Sequence, residues 1–237
     1  MQPRYKYPRT FHLPWSECVH GDDKLIDTLT LFEGQDVVVT EKMDGENTSL
    51  YRDGMHARSI DSPGNFTRSW CQRLQATLAP DIPAGYVFNG ENVSWHHSIH
   101  YQHLEGFFYL FAIWDDQGYR LAFDELNEWA QVLDLPLPRV LFRGTFDKRQ
   151  LQLLAKNITE HNKRHARGET PDADRMEGYV VSLTGRVHRD DFAQATAKFV
   201  IKDHLQPNKG DQVEHWLKHT APNTLRSGLA MRPLWMA

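Results

Sequence analysis

The chain has 237 residues, 40% hydrophobic and 24% charged, with 27 Lys and Arg against 31 Asp and Glu for a net charge of −4. These are ordinary globular values, which exclude collagen-like, low-complexity and disordered classes, and the near-neutral balance argues against a polybasic protein while leaving room for a local basic groove. Two cysteines, Cys18 and Cys71, are too few for a disulfide scaffold or a four-thiolate zinc site and point to a reduced, cytoplasmic setting.

Residues 1–35 open without the apolar run of a signal peptide and read as an N-terminal extension packed on a core. A β-branched run, Val37 to Thr40, predicts a strand, followed by a Lys-Met-Asp-Gly turn. Thr48 to Arg52 and Met55 to Ile60 flank Asp53-Gly54, a hairpin signal. Phe66, Trp70, Leu74 and Leu78 recur every four residues and predict an amphipathic helix that Pro80 and Pro83 end. Tyr86 to Asn89 is a short strand leading into Gly90-Glu91-Asn92. Phe107 to Trp114 is a fully apolar strand, too short to span a bilayer, so no membrane role is expected. Phe123 to Leu133 is helical with Asp124 as N-cap, Arg139 to Phe142 is a strand, and Asp147 to about Lys156 is helical. Asn157 to Asp174 is polar without an apolar period and reads as a surface loop. Glu177 to Leu183 and Ala197 to Lys202 are two more strands, and Asp211 to His219 is a short helix. The expected fold is α+β with largely antiparallel sheets flanked by helices, not a doubly wound parallel sheet. No GxGxxG or GxxxxGK[ST] is present, so a Rossmann site and a P-loop are unsupported.

The chemistry concentrates around Glu41-Lys42-Met43-Asp44-Gly45-Glu46-Asn47. A lysine at the end of an apolar strand is costly to place for structure alone, and Gly45 permits close approach to a ligand. Taken alone, four letters of this kind also fit a surface lysine beside a turn. On a strand, Lys198 and Lys202 point to one face; they are either a pair of cations for phosphate or the lysines of a solvated edge strand. In the run Trp95 to His103, the histidines 97, 100 and 103 recur every three residues. Three readings stay open there: plain surface histidines, a phosphate- or RNA-contacting loop, or a metal site.

Read in order, the lysine stretch, Gly90-Glu91-Asn92, the strand Phe108 to Ile113, Glu177-Gly178-Tyr179 and the Lys198–Lys202 strand resemble the covalent nucleotidyltransferases, the ATP-dependent ligases and mRNA capping enzymes. The resemblance is strongest to RNA ligases related to the second RNA ligase of phage T4, and it runs from Glu41 to His204. It implies an adenylyltransferase (ATP-grasp-like ligase) domain over 36–205, with 206–237 a short helix and tail without an OB domain. It implies ATP and Mg²⁺ or Mn²⁺ as cofactors, RNA as nicked duplex or broken ends as substrate, and an end-processing kinase or phosphatase as a partner. Lys42 is then the nucleophile that becomes lysyl-AMP, with Lys198 and Lys202 assisting at the α-phosphate. Glu41, Asn47, Arg58, Glu91 and Phe111 fall among the nucleotide-binding positions, Phe111 stacking on the base. Asp44, Glu91 and Glu177 form the metal set. A Lys amine attacks phosphorus only when neutral, and desolvation and nearby positive charge favour that form. Two departures are visible: the lysine pair is spaced Lys-x-x-x-Lys rather than Lys-x-Lys, and the Asp common after the stacking Phe is Ala112. A small ATP-dependent DNA ligase and a catalytically silent RNA-binding member of the fold are the alternatives.

Overall fold

The computed structural model describes residues 2–19, 21, 23–61, 64–202 and 221–229. Eleven strands and four helices are assigned among them: β1 (Phe11–His12), β2 (Asp36–Lys42), β3 (Glu46–Tyr51), β4 (Gly54–Ala57), α1 (Ser69–Leu78), β5 (Val87–Asn92), β6 (Phe108–Trp114), β7 (Tyr119–Arg120), α2 (Phe123–Val132), β8 (Val140–Thr145), α3 (Lys148–Ala166), β9 (Gly178–Leu183), β10 (Val187–His188), α4 (Phe192–Ala195) and β11 (Thr196–Val200). They build two sheets, ordered β1-β11-β9-β2-β8 and β10-β7-β6-β5-β3-β4. Pairing is antiparallel throughout except β1 with β11, which is parallel. The α+β expectation is met.

Each sheet has one face on its own core. Val37 and Val39 of β2, Tyr179 and Val181 of β9, and Ala197 and Phe199 of β11 pack against Leu151, Ala155 and Ile158 of α3. Leu50, Phe88, Phe108 and Leu110 of the other sheet pack against Cys71, Leu74 and Leu78 of α1 and Leu126 and Ala130 of α2. Strand side chains alternate faces, so Val38, Thr40, Lys42, Val180, Ser182 and Lys198 turn the other way and line a cleft between the sheets. The cleft is thus the reverse side of the α3 core.

Several local expectations change. The segment 157–174 is not wholly a loop, because α3 runs to Ala166 from an Asp147 N-cap whose side chain accepts from Arg149 and Gln150 N–H. The apolar period breaks at Asn162 because this amide holds a core position by pairing with both the N–H and the C=O of Met176, at 2.9 and 2.8 Å. The N-cap of α2 is Ala122 rather than Asp124, with Glu125 accepting the Ala122 N–H at 2.9 Å. The strand expected to reach Lys202 ends at Val200. The helix expected over 211–219 lies outside the described residues.

Candidate active site

Lys42 is the last residue of β2 and projects into the cleft, where its Nζ lies 2.5 Å from Glu177 Oε2. The Lys42 side chain is 23% exposed and Glu177 1%, so the ion pair sits at the floor while the amine remains reachable. Glu177 owes its position to Gly178, where a Cβ would stand 2.0 Å from the Phe199 carbonyl oxygen; only glycine lets β9 meet β11 this closely beside the site. Gly45 acts similarly, because a Cβ there would stand 2.4 Å from the Asn92 carbonyl oxygen. Its close approach is to the protein's own β5.

Charge at the floor is under-neutralised. Burial pushes Glu91 up to about 8, opposed by Lys42 and reinforced by Glu177 and Asp44. Burial raises Glu177 as well, although Lys42 lies against it. Burial alone would depress the Lys42 ammonium, but Glu177, Glu91 and Asp44 outweigh it and hold its pKa above the ordinary lysine value. The depressed pKa that a nucleophilic lysine needs is therefore not present until something draws off the carboxylate charge. On Lys198, burial and then the neighbouring Lys42 do lower the pKa.

Opposite Lys42 the cleft wall is β6, and a bulge decides what it presents. Ala112 pairs with Asn89 and Leu110 with Gly90, leaving Phe111 as the extra residue. A bulge re-aims side chains, and here Phe111 and Ala112 both line the cleft. Asn47 and Glu91 face each other across the β3–β5 pair and line it too, as does Arg58 just after β4. The structure thus gathers Lys42, Asn47, Arg58, Glu91, Phe111 and Lys198 around one cavity, with Glu177 beneath Lys42.

The remaining expected residues point elsewhere. Glu41 alternates to the opposite face of β2 from Lys42, and its Oε2 lies 3.2 Å from Arg139 Nε. Lys202 is exposed beyond the end of β11, its backbone N–H donating to Glu17. Asp44 is buried, with Oδ2 accepting from Ser98 N–H, Ser98 Oγ and Ile99 N–H at 2.7–2.8 Å. It therefore fastens the histidine-rich loop to the floor of the site. At the far end of that loop Asp174 accepts from Gln102 N–H and His103 N–H. No cluster of three metal-ligating side chains occurs among the described residues, so the histidines build no metal site there.

Sequence reasoning missed one whole wall. Tyr7, Arg9, Thr10 and Asp23 of the N-terminal segment line the cleft, Tyr7 meeting Phe111 edge-on with ring centroids 5.1 Å apart. Arg120 lines it as well, donating to the Leu183 and Gly185 carbonyls from a buried position. Nothing in the N-terminal residues carries a periodic or motif signal that specifies a partner.

Two sheets enclosing a cleft, with a strand-end lysine against carboxylates on one side and a bulge-borne aromatic on the other, make up the fold of the nucleotidyltransferase ligases. A family model described as RNA ligase matches residues 35–202, and the chain belongs to that family. Similar solved structures include the Naegleria gruberi RNA ligase with pyrophosphate (18% identity, TM-score 0.50, covering 84% of this chain and 62% of that one). An archaeal ATP-dependent RNA ligase (15%, 0.52, 82% and 48%) and a candidate ATP-dependent DNA ligase from Aquifex aeolicus (18%, 0.51, 83% and 50%) are also similar. The chain spans roughly half to three-fifths of the length of these proteins. A search of curated proteins found no significant match.

Proposed function

We propose that this chain is an ATP-dependent RNA ligase that works through a lysyl-AMP at Lys42. The observation that carries the reading is Lys42 held at the cleft floor by Glu177, with Lys198 on the same sheet and Phe111 on the facing wall. In the first step the neutral Lys42 Nζ attacks the α-phosphorus of ATP; a P–N bond forms, the α–β P–O bond breaks, and pyrophosphate leaves. Lys198 and Arg58 offset charge as it builds on the phosphate. Pyrophosphate, which is bound to the similar Naegleria ligase, is the product this step would release. In the second step an RNA 5′-phosphate oxygen displaces Lys42 from the AMP phosphorus. In the third, a 3′-hydroxyl attacks the 5′-phosphate, its proton is lost, and AMP departs. Phe111 stacks on adenine, and Glu91 accepts from the ribose hydroxyls.

The donor set fits a divalent cation, Mg²⁺ or Mn²⁺. Glu177 is buried and Glu91 half-buried beside the Lys42 ammonium, both raised in pKa, and Mg²⁺ commonly takes one or two carboxylates with waters and phosphate oxygens. When bound, such an ion supplies the positive charge that frees Lys42 from its carboxylates. Asp44 holds the adjacent loop in place. RNA is favoured over DNA by the family match, and an end-processing kinase would supply the 5′-phosphate ends while a phosphatase would supply the 3′-hydroxyl ends.

The test is incubation with labelled ATP and Mg²⁺ or Mn²⁺, then denaturing electrophoresis. An acid-labile label on wild type that is absent from Lys42→Ala supports the reading. An unlabelled wild type leaves only the silent RNA-binding alternative, and preferential sealing of nicked DNA over nicked RNA favours the DNA ligase alternative.

A further inference from the structure

Asp23 is a carboxylate on the wall of a cleft that has to accept a polyanion, where an acid is unfavourable unless it is engaged. Both of its oxygens face partners: Oδ1 lies 3.8 Å from Lys198 Nζ, and Oδ2 lies 3.2 Å from His12 Nε2. His12 is 2% exposed, and its Nδ1 is 2.8 Å from Ser16 Oγ. Ser16 Oγ in turn accepts the Val200 N–H at 3.0 Å. Ser16 Oγ also lies 3.5 Å from the Val200 carbonyl oxygen, so the His12 ring is held between Ser16 and Asp23, with Nε2 at ion-pair distance from the carboxylate.

This chain closes on the strand where it began. His12 is in register with Lys198 in the β1–β11 pair, and Leu13 N–H donates to the Lys198 carbonyl at 2.8 Å. His12 N–H donates to the Lys24 carbonyl, and Ile26 N–H to the His12 carbonyl, so the backbone on which Asp23 sits is itself pinned to His12. Lys198, Asp23, His12, Ser16 and Val200 therefore form a ring in which β11 supplies both ends. A surface ion pair has no such support. The pairing is too long at 3.8 Å for a tight hydrogen bond, so the ammonium keeps its donors for another acceptor.

We propose that Asp23, oriented by His12 and Ser16, is a positioning residue that holds the Lys198 ammonium over the cleft, so that the N-terminal segment completes the nucleotide site. The proposal rests on reading the cleft as an ATP site and Lys198 as its α-phosphate lysine. Loss of Asp23 removes one of the two negative charges acting on Lys198, leaving Glu177 against Lys42 and Arg58, and it frees the long side chain to leave the productive geometry.

Two measurements on the full chain test this. The first is competitive acylation of lysine amines by acetic anhydride, read by mass spectrometry at Lys198, which needs no enzymatic activity. In Asp23→Asn, Lys198 should acylate severalfold faster than in wild type, His12→Gln should move it the same way by less, and Asp23→Glu should restore most of the protection. The second is the rate of lysyl-AMP formation at saturating ATP. Asp23→Asn should slow it by about ten- to a hundredfold, the size of effect a small misplacement produces. Combined with Lys198→Ala, it should add little to the loss from Lys198→Ala alone, because both remove one interaction. Unchanged acylation of Lys198 in Asp23→Asn overturns the proposal, as do losses that multiply in the double variant. If Asp23→Asn does not fold, His12→Gln and Asp23→Glu decide by the same acylation readout. A wild type that forms no lysyl-AMP defeats the reading of the cleft, while the acylation comparison still decides whether Asp23 holds Lys198.

Discussion

Lys42 and Glu177 pose the central residue-scale question, because on the proposed function one carboxylate would both restrain the nucleophile and belong with its metal. Replacing Glu177 by Gln separates the roles. Without that charge Lys42 loses a main support for its ammonium, so its reactivity toward an amine reagent should rise. Lysyl-AMP formation should nevertheless fall if Glu177 is needed for the divalent ion, and a rise in both would remove it from the metal set. Lys42→Arg should be as inactive as Lys42→Ala, since a guanidinium stays protonated. Phe111→Ala should weaken ATP binding by about 1–3 kcal/mol if the ring stacks on the base, measured by calorimetry on the folded variant. Unchanged ATP affinity would leave Phe111 as a wall residue only. His12 adds a pH signature. Burial first, and then Lys198, lower its pKa to about 4, below the unfolded value near 6.5. A depressed basic group contributes stability that is present above pH 6.5 and lost as pH falls toward 4. The melting temperature of wild type should therefore drop more steeply between pH 6.5 and 4 than that of His12→Gln; parallel curves would show that His12 is not the titrating group.

At the scale of elements, the parts legible in the sequence were those whose signal is local. The β-branched run before Lys42, the Asp53-Gly54 turn and the apolar row of α1 each depend on neighbours within a few residues, and each element formed. Lys42 stood out at a strand end, Glu91 and Glu177 were named through the family resemblance, and period-two alternation then fixes which residues share the cleft. Phe111 could be named, but not the bulge that presents it, because the extra residue exists only in relation to Asn89 and Gly90 on another strand. The continuation of α3 was hidden because Asn162 occupies a core position through a partner fourteen residues away. Replacing Asn162 by Ala leaves the Met176 N–H and C=O buried without that partner and should destabilise the fold by about 1–3 kcal/mol, an unsatisfied-group cost, readable from a urea melt. A variant within experimental error of wild type would mean that water or a backbone shift satisfies Met176. Gly178→Ala should be more severe, because its Cβ meets backbone that cannot rotate away. Asp23, Arg9 and Tyr7 were illegible for a different reason: no short-range pattern links the N-terminal segment to a strand near residue 198.

For the whole molecule, that link has a kinetic consequence. Ser16 meets Val200 across 184 residues of chain, and β1 has no pairing partner other than β11 among the described strands. During synthesis, Lys42 and its hairpin emerge long before the strand that finishes the lysine's surroundings. The loop to be closed is long, and although closure entropy grows only slowly with length, contacts of such separation are made late and slow folding. Until β11 arrives, the exposed edge of β9 offers unpaired N–H and C=O groups to other strands. A nascent chain would therefore hold Lys42 in a half-built cleft, and the cleft would be completed as one late event rather than gradually along the chain.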